Sequence, residues 1–465
     1  MDAKTIKELE EIAKKVWDNP EFGFQEEVSS RTQVDFLQKE GFEVQTNVAG
    51  TKTGYVAKFG NGHPVVALLG EFDALYGLGQ EADVTHPSPD GKEMGHGCGH
   101  HLLGTGCIAA ALEIRDYLKQ SGKQGTIWVC GCPAEEAGAG KAYMARDGVF
   151  DGVDIALAWH PDTVNELWVG SSQSIISSFF HFKGKASHAA ASPEMGRSAL
   201  DAVELMNVGV NYLREHMTNS DRIHYAIVNP GGKAPNVVQA EAEVNYYVRS
   251  ANNPACLALF ERVCNVAKGA ALMTGTQVEI RLDEGMSNMV TNRVLEGVFD
   301  QCFREVEAPT YTEEERAYLE AFKAVGEPTA KEQLPTPVLD KERLWKDMQE
   351  EPICSYYVEN EHSEECSLGS SDVGDVSWVV PTGAIHTACY AYNTPGHSWQ
   401  LVAQGKSSPA MKGMFYAARL MAKAFEKIVE NPSIVEEAKA EWKKQLNGKQ
   451  YECLIPKGVE PHVSI

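Results

Sequence analysis

The sequence predicts an α/β protein: a mixed, largely parallel sheet with helices on both faces, plus an inserted α+β unit on a four-stranded antiparallel sheet. Three observations lead there. Near-continuous apolar runs of strand length alternate with helical patterns over the first 170 residues, as in a parallel sheet buried on both faces. From about Ser172 apolar residues alternate with polar ones, the pattern of half-exposed strands. The chain has 465 residues, more than one core organises, so two or more domains are expected.

Thr5 to Trp17 place Ile6, Leu9, Ile12 and Val16 at helical spacing, and the turn "DNPEFGF" follows. A second helix is expected from about Ser29 to Lys39. "YVAKFG" and "PVVALLGEFDAL" read as strands, the second apolar almost throughout. A helix after Leu102, the strand "GTIWVCGCP" and the strand "GVDIALAWHP", ending in His160, continue the alternation. Then come a strand "SIISSFFHFKGKAS", a helix "GRSALDAVELMNVGVNYLREH", strands "HYAIVNPGG" and "VVQAEAEVNYYVRS", a helix "PACLALFERVCNVAKGAALMTG" and a strand "TQVEIRL". Two strand–helix–strand units on one antiparallel sheet account for that run. The expected division is 1–170 and 286–465 for the two parts of one domain, with 171–285 inserted. In the last part, the acidic, proline-broken stretch 305–365 reads as an excursion or flap. "VSWVVPTGAIHTACY" reads as late strands and "SPAMKGMFYAARLMAKAFEKIVEN" as a closing helix.

Composition removes several functions. A net charge of −23 argues against nucleic acid or an anionic membrane as partner, since both need a basic footprint. No apolar run approaches a membrane span. The N-terminal "MDAKTIKELEEIAKKVW" is charged and helical, unlike a signal peptide. The 11 cysteines are odd in number and irregularly spaced, which fits reduced thiols in a cytosolic protein. Cys107, Cys130 and Cys264 are expected in the core. "EEAGAGKAYM" is not a phosphate loop, because Glu135 and Ala142 stand where Gly and Ser or Thr are needed.

Metal-ligand residue types recur at the ends of buried strands: Cys98 and His100 in "HGCGHH", Glu135 and Glu136 in "CPAEEAG", His160, and later His397. In an open α/β sheet, residues past the carboxyl ends of strands gather in one crevice. Of two adjacent carboxylates, one can bind a metal while its neighbour moves a proton. Metal-assisted hydrolysis needs that division: a bound ion lowers the pKa of its water to about 7, and a free Glu passes the proton to the leaving amine. Five ligands exceed one structural zinc site and favour two metals, and no second Cys-x-x-Cys pair closes a tetrahedron. Singly, His160 reads as readily as a hydrogen-bonded strand-end histidine, and Cys98 as a buried thiol. The joint pattern carries the argument.

"NPEFGFQEE", "EFDAL", "HGCGHH", "PAEEAGAGKAYM", "AWHP", "GKASHAAASPEMGRSALDA", "NVVQAEAEVNYYVRS" and "TPGHS" occur in the order that resembles the aminoacylase/carboxypeptidase family of metallopeptidases, in the amidohydrolase branch that includes auxin-conjugate hydrolases. The resemblance covers nearly the whole chain. It implies a two-metal catalytic domain and an inserted lid that also forms a homodimer, with a paralogous subunit as the other pairing. It makes Cys98, His100, Glu136, His160 and His397 the metal ligands, with manganese or zinc first and cobalt or nickel permitted. Glu135 becomes the general acid/base and Asp73 the carboxylate that orients a ligand. His188 becomes the oxyanion donor, reaching the partner's site. Asn236 and Arg249, thirteen residues apart, become holders of the substrate's free carboxylate. Many members have a His-x-Asp pair where this chain has Glu71-Phe72-Asp73, so a ligand is absent there and Cys98 compensates. His101 replaces the branch's usual Asp, and His96 and His101 carry no assigned role. The implied activity is hydrolysis of the amide between an acyl or aroyl group and an amino acid, with a p-aminobenzoyl-glutamate-type conjugate first and other N-acyl amino acids or dipeptides next. Amine release from a ring or amidine carbon, and a silent binding scaffold, are the rivals.

Overall fold

The computed structural model describes residues 1–335 and 337–463. Two helices open the chain, α1 (Ala3–Asp18) and α2 (Glu27–Lys39). The Asp2 side chain caps α1 by accepting from the Thr5 amide, and Leu9, Ile12, Ala13 and Val16 form its buried stripe. Then follow β1 (Glu43–Thr46), β2 (Tyr55–Asn61), β3 (Val65–Glu71), the short hairpin β4 (Leu75–Tyr76) and β5 (Met94–Gly95), α3 (His100–Ser121), β6 (Gly125–Cys132), α4 (Gly140–Arg146), β7 (Ile155–Asp162) and β8 (Asn165–Leu167). Every residue of β3 is buried, as its unbroken apolar run requires.

A second set of elements runs β9 (Ser174–Lys183), α5 (Ala199–Leu213), β10 (Arg222–Asn229), β11 (Glu241–Ser250), α6 (Asn253–Thr274) and β12 (Gln277–Met286). The chain then forms α7 (Arg293–Glu305), α8 (Glu313–Val325), α9 (Lys341–Glu350), β13 (Tyr357–Val358), α10 (Val373–Val379), β14 (Thr382–Ala388), α11 (Trp399–Gln404), α12 (Ser408–Glu430) and α13 (Ser433–Leu446).

The first sheet has eight strands in the order β1-β2-β6-β3-β7-β14-β8-β13. Its centre, β6-β3-β7-β14, is parallel, while β1, β2 and β8 pair antiparallel to their inner neighbours. Helix α3 lies on one face, its Cys107, Ile108 and Leu112 packed with β3 and β7 residues such as Leu68 and Leu157. The other face carries Met144 of α4 and Val376 of α10. The second sheet is antiparallel throughout, β10-β11-β9-β12, with a core of its own. There Phe180, Phe182, Val244 and Val248 meet α5 and α6. Successive strand residues point to opposite faces, so Ile175, Phe179, Tyr247 and Arg249 face the other way, toward the first sheet's crevice.

Two sequence expectations are corrected. "VSWVV" is a helix, α10, because its buried face packs as a helical turn and Pro381 lies just beyond it. The Asp375 carboxylate there accepts from the Ser287 amide and hydroxyl. The described residues of 305–365 form a packed layer rather than a flap. Leu319, Phe322, Leu344, Met348 and Ile353 share one core with Ala391 and Tyr392.

Candidate metal centre and active site

The carboxyl ends of the parallel strands bring the chemistry together. β3 leads into Asp73, β6 into Glu135 and Glu136, β7 carries His160, and the segment after β14 carries His397. Cys98 and His100 flank Gly99, which takes φ +82° at the head of α3. A Cβ at Gly99 would lie 2.4 Å from the Tyr390 hydroxyl and 2.7 Å from Pro161, so only glycine lets the turn sit this close. His397 itself has φ +52°, an uncommon conformation outside glycine, and its amide donates to the Gly97 carbonyl. That turn ties the late loop to the cysteine loop.

Two ligand groups share Cys98: Cys98, His100 and His160, and Cys98, Glu136 and His397, each with one donor atom per residue within 4.8 Å of the others. A third group joins Glu71, His100 and Glu135. Cys98 Sγ is 3.3 Å from His160 Nε2, and His397 Nε2 is 3.3 Å from Glu136 Oε1. His160 Nδ1 meets the Pro161 carbonyl, which leaves Nε2 facing the site. Asp73 holds two members at once. One oxygen meets His100 Nδ1 at 2.7 Å and the other accepts from the Glu136 amide. A carboxylate behind a ligating histidine fixes its tautomer and orientation.

Buried His100 Nε2, Glu71 Oε2 and Glu136 Oε1 have no hydrogen-bond partner. Buried polar atoms are almost always satisfied, and these converge on one point, which fits divalent cations there. Thiolate, imidazole and carboxylate donors together suit zinc, manganese, cobalt or nickel. Without cations the charges oppose one another. Burial and Glu136 push the Cys98 thiol well above its ordinary value. Burial, then Glu71 and Glu136, hold the Glu135 carboxyl well above the carboxylate range. Burial works against the Glu71 charge too, but Lys141 and then His100 outweigh it and hold that carboxyl low.

Across the crevice, the second sheet supplies the rest of a cavity of about 570 Å³ lined by Glu135, Glu136, His397, Arg249, Arg222 and Ser370 among others. Arg249 donates to the Ser370 hydroxyl and its Nε is buried without a partner. Burial lowers its pKa, and Tyr247 and Glu284 beside it offset only part of that effect. Arg222 is its direct cross-strand neighbour, an arrangement of like charges that costs stability unless an anion joins them. A second cavity of about 560 Å³ adjoins, sharing His224 and Tyr247 and lined by Phe22, Tyr76 and Phe179.

His188 and Asn236 lie elsewhere. Both are exposed, and the Ala189 amide donates to the Asn236 carbonyl. They stand near the start of β11, whereas Arg249 is near its end, about 27 Å along the strand. Within one chain, Asn236 and Arg249 therefore do not grip one carboxylate. His96 and His101 are buried and structural: their Nε2 atoms meet the Val16 and Gly405 carbonyls, and burial lowers both pKa values, His96 to about 3.

Sequence reasoning missed Glu26, Lys141, Arg222 and Asp372, and read Glu71 only as the position of an absent ligand. For Lys141 the available signal was a charge embedded in the small and apolar run "AGAGKAYMA", whereas Glu26 lies among the polar residues "QEEVSS" and gave none. Lys141 is fully buried, 2.6 Å from Glu71 Oε1 and 2.5 Å from Asp372 Oδ1.

Comparison with known proteins agrees with this geometry. The family model described as Peptidase family M20/M25/M40 matches residues 67–324. The chain is 40% identical to the B subunit of p-aminobenzoyl-glutamate hydrolase from Escherichia coli strain K12, over 97% of this chain and 95% of that protein. It is 26% identical to the mouse Xaa-Arg dipeptidase, over 94% and 90%. A solved dinuclear metal-binding peptidase from Bacillus subtilis shares the fold at TM-score 0.55 and 18% identity, covering 92% of this chain and 99% of that one. The chain belongs to peptidase family M20/M25/M40 and is a hydrolase acting on amide bonds.

Proposed function

We propose that the enzyme hydrolyses the amide of an N-acyl or N-aroyl amino acid with a free carboxylate, a p-aminobenzoyl-glutamate-type conjugate first. The observation that carries this reading is Arg249, a half-buried side chain whose buried Nε has no partner, lining one cavity with Glu135 and Glu136. A substrate whose carboxylate meets Arg249 through two parallel bonds presents its amide to the strand ends. Arg222 offers a second charge for the side-chain carboxylate of an acidic amino acid. The aromatic cavity of Phe22, Tyr76, Phe179 and Tyr247 takes the acyl or aroyl group.

Cys98, His100, Glu136, His160 and His397 would hold two divalent ions, manganese or zinc, which supply Lewis acidity and an activated water. Glu135 stands beside the ligands and stays free to accept the water's proton and deliver it to the departing amine. Asp73 keeps His100 and Glu136 in place while this happens.

The reading includes a homodimer through the 171–285 insertion, with pairing to a paralogous subunit as the other arrangement. Strand β10 is an edge of its sheet and exposes Tyr225, Ile227 and Val228, a ready surface for a second chain. Exposed His188 and Asn236 then reach the partner's cavity, His188 to the oxyanion. The 11 free cysteines support a reducing, cytosolic setting.

A panel of N-acyl amino acids with defined metals tests the reading. The expected products are a free acid and a free amino acid, with glutamyl and aspartyl conjugates preferred. Arg249→Lys should lower kcat/KM about 100-fold, and Arg222→Gln should erase most of the preference for acidic over neutral amino acids. Ammonia as the product, or a preference untouched by both variants, contradicts it.

A further inference from the structure

Glu71, at the carboxyl end of β3, is buried and splits its two oxygens between different neighbours. Oε1 is 2.6 Å from the Lys141 ammonium. Oε2 has no hydrogen-bond partner and lies 3.1 Å from His100 Nε2. His100 already directs Nδ1 to the Asp73 carboxylate at 2.7 Å. A carboxylate only accepts, so Nδ1 donates to Asp73 and Nε2 is the ring nitrogen left facing Glu71 Oε2. Both facing atoms are buried without a hydrogen-bond partner. A divalent ion between them would partner both, while Lys141 holds the opposite Glu71 oxygen.

Lys141 and Asp372 show why Glu71 stays there. Both are fully buried, and the Asp372 carboxylate also accepts from the Lys141 amide. Lys141 bridges the two carboxylates, so the pair fixes the Glu71 Oε1 side in place. Glu135 is within 4.8 Å of Glu71 and His100 in the third ligand group.

We propose that Glu71 is itself a ligand of the metal pair, on the ion held by His100, and that Lys141 and Asp372 clamp it in place. This rests on the cluster being a metal centre. Glu71 replaces the gap expected from the sequence with a hard oxygen donor beside thiolate and imidazole. An added carboxylate favours manganese relative to zinc, which binds well to sulfur and nitrogen alone. Glu71 is thus a determinant of metal preference.

The test is chelator competition with Mn²⁺ and with Zn²⁺ on the wild type, Glu71→Gln and Glu71→Asp, alongside thermal unfolding of the metal-free forms. Glu71→Gln should weaken one of two Mn²⁺ sites about 100-fold and the matching Zn²⁺ site about tenfold or less, since ligand changes act at or above the scale of outer-shell changes. Glu71→Asp keeps a charge for Lys141 but retracts the carboxylate, and should lose about tenfold for Mn²⁺. It carries the test should Glu71→Gln fail to fold. Wild-type affinity for both ions in a folded variant, with only the metal-free unfolding midpoint lowered, would make Glu71 a structural partner of Lys141 and overturn the proposal. A wild type that binds neither ion overturns the metal centre itself, a separate result.

Discussion

Glu26 shows how a single side chain can govern the site from outside it. It is fully buried, accepts from the Thr53 hydroxyl, and accepts from the amide of Ala134, the residue before Glu135. Ala134 has φ +57°, so this bond holds an unfavourable turn that aims both glutamates. Burial, reinforced by Asp73, raises the Glu26 pKa to about 8 from 4.5. A carboxyl raised in the folded state contributes stability below pH 4.5, and that contribution is lost as pH climbs toward 8. Glu26→Gln in the metal-free protein should therefore gain thermal stability relative to wild type between pH 5 and 8. A difference that stays constant with pH contradicts the assignment. Cys98, His100, Glu135, Glu136, His160 and His397 were legible because each ends or follows a recognisable strand or turn. Glu26, Lys141 and Asp372, and the pairing of Glu71 with Lys141, were not, because these contacts span tens to hundreds of positions and burial of a charge is a property of the assembled fold.

At the scale of elements, alternation of apolar strands with amphipathic helices was enough to foresee the parallel centre and the four-stranded antiparallel sheet. It failed where tertiary packing outweighed local preference. The β-branched "VSWVV" is helical because Trp378 donates to the Asn288 carbonyl and Asp375 anchors Ser287. Within the polar stretch 305–365, Leu319 and Phe322 of α8 and Leu344 and Met348 of α9 are the buried residues at helical spacing, too few to stand out among their charged neighbours. The turn into α3 is the element the site depends on most. Gly99→Ala adds a methyl where Tyr390 and Pro161 already stand and strains a positive φ. It should cost about 1–3 kcal/mol, read as a thermal midpoint lower by a few degrees, with weaker metal binding because Cys98 and His100 flank it. Unchanged metal affinity would show that the turn does not set the ligand geometry.

The whole molecule places two sheets across one crevice: strand ends with metal-ligand residues on one side, arginines and aromatics on the other. His188 and Asn236 lie outside that crevice in their own chain, and the isologous dimer proposed above is the arrangement that would bring them to a partner's crevice. Mixing Glu135→Gln with His188→Ala chains under subunit exchange should restore roughly a quarter of wild-type activity, because half the dimers are mixed and each holds one intact site. Activity that stays at the level of the separate variants contradicts a role for His188 across the interface. The central claim is that Glu135 moves the proton at a metal centre built from the strand ends. Its most direct test is the turnover of Glu135→Gln at full metal occupancy, with metal content measured on the same sample. The expected result is a fall in kcat of about 10³-fold with both ions retained. Turnover equal to wild type, at the same metal content, would contradict it.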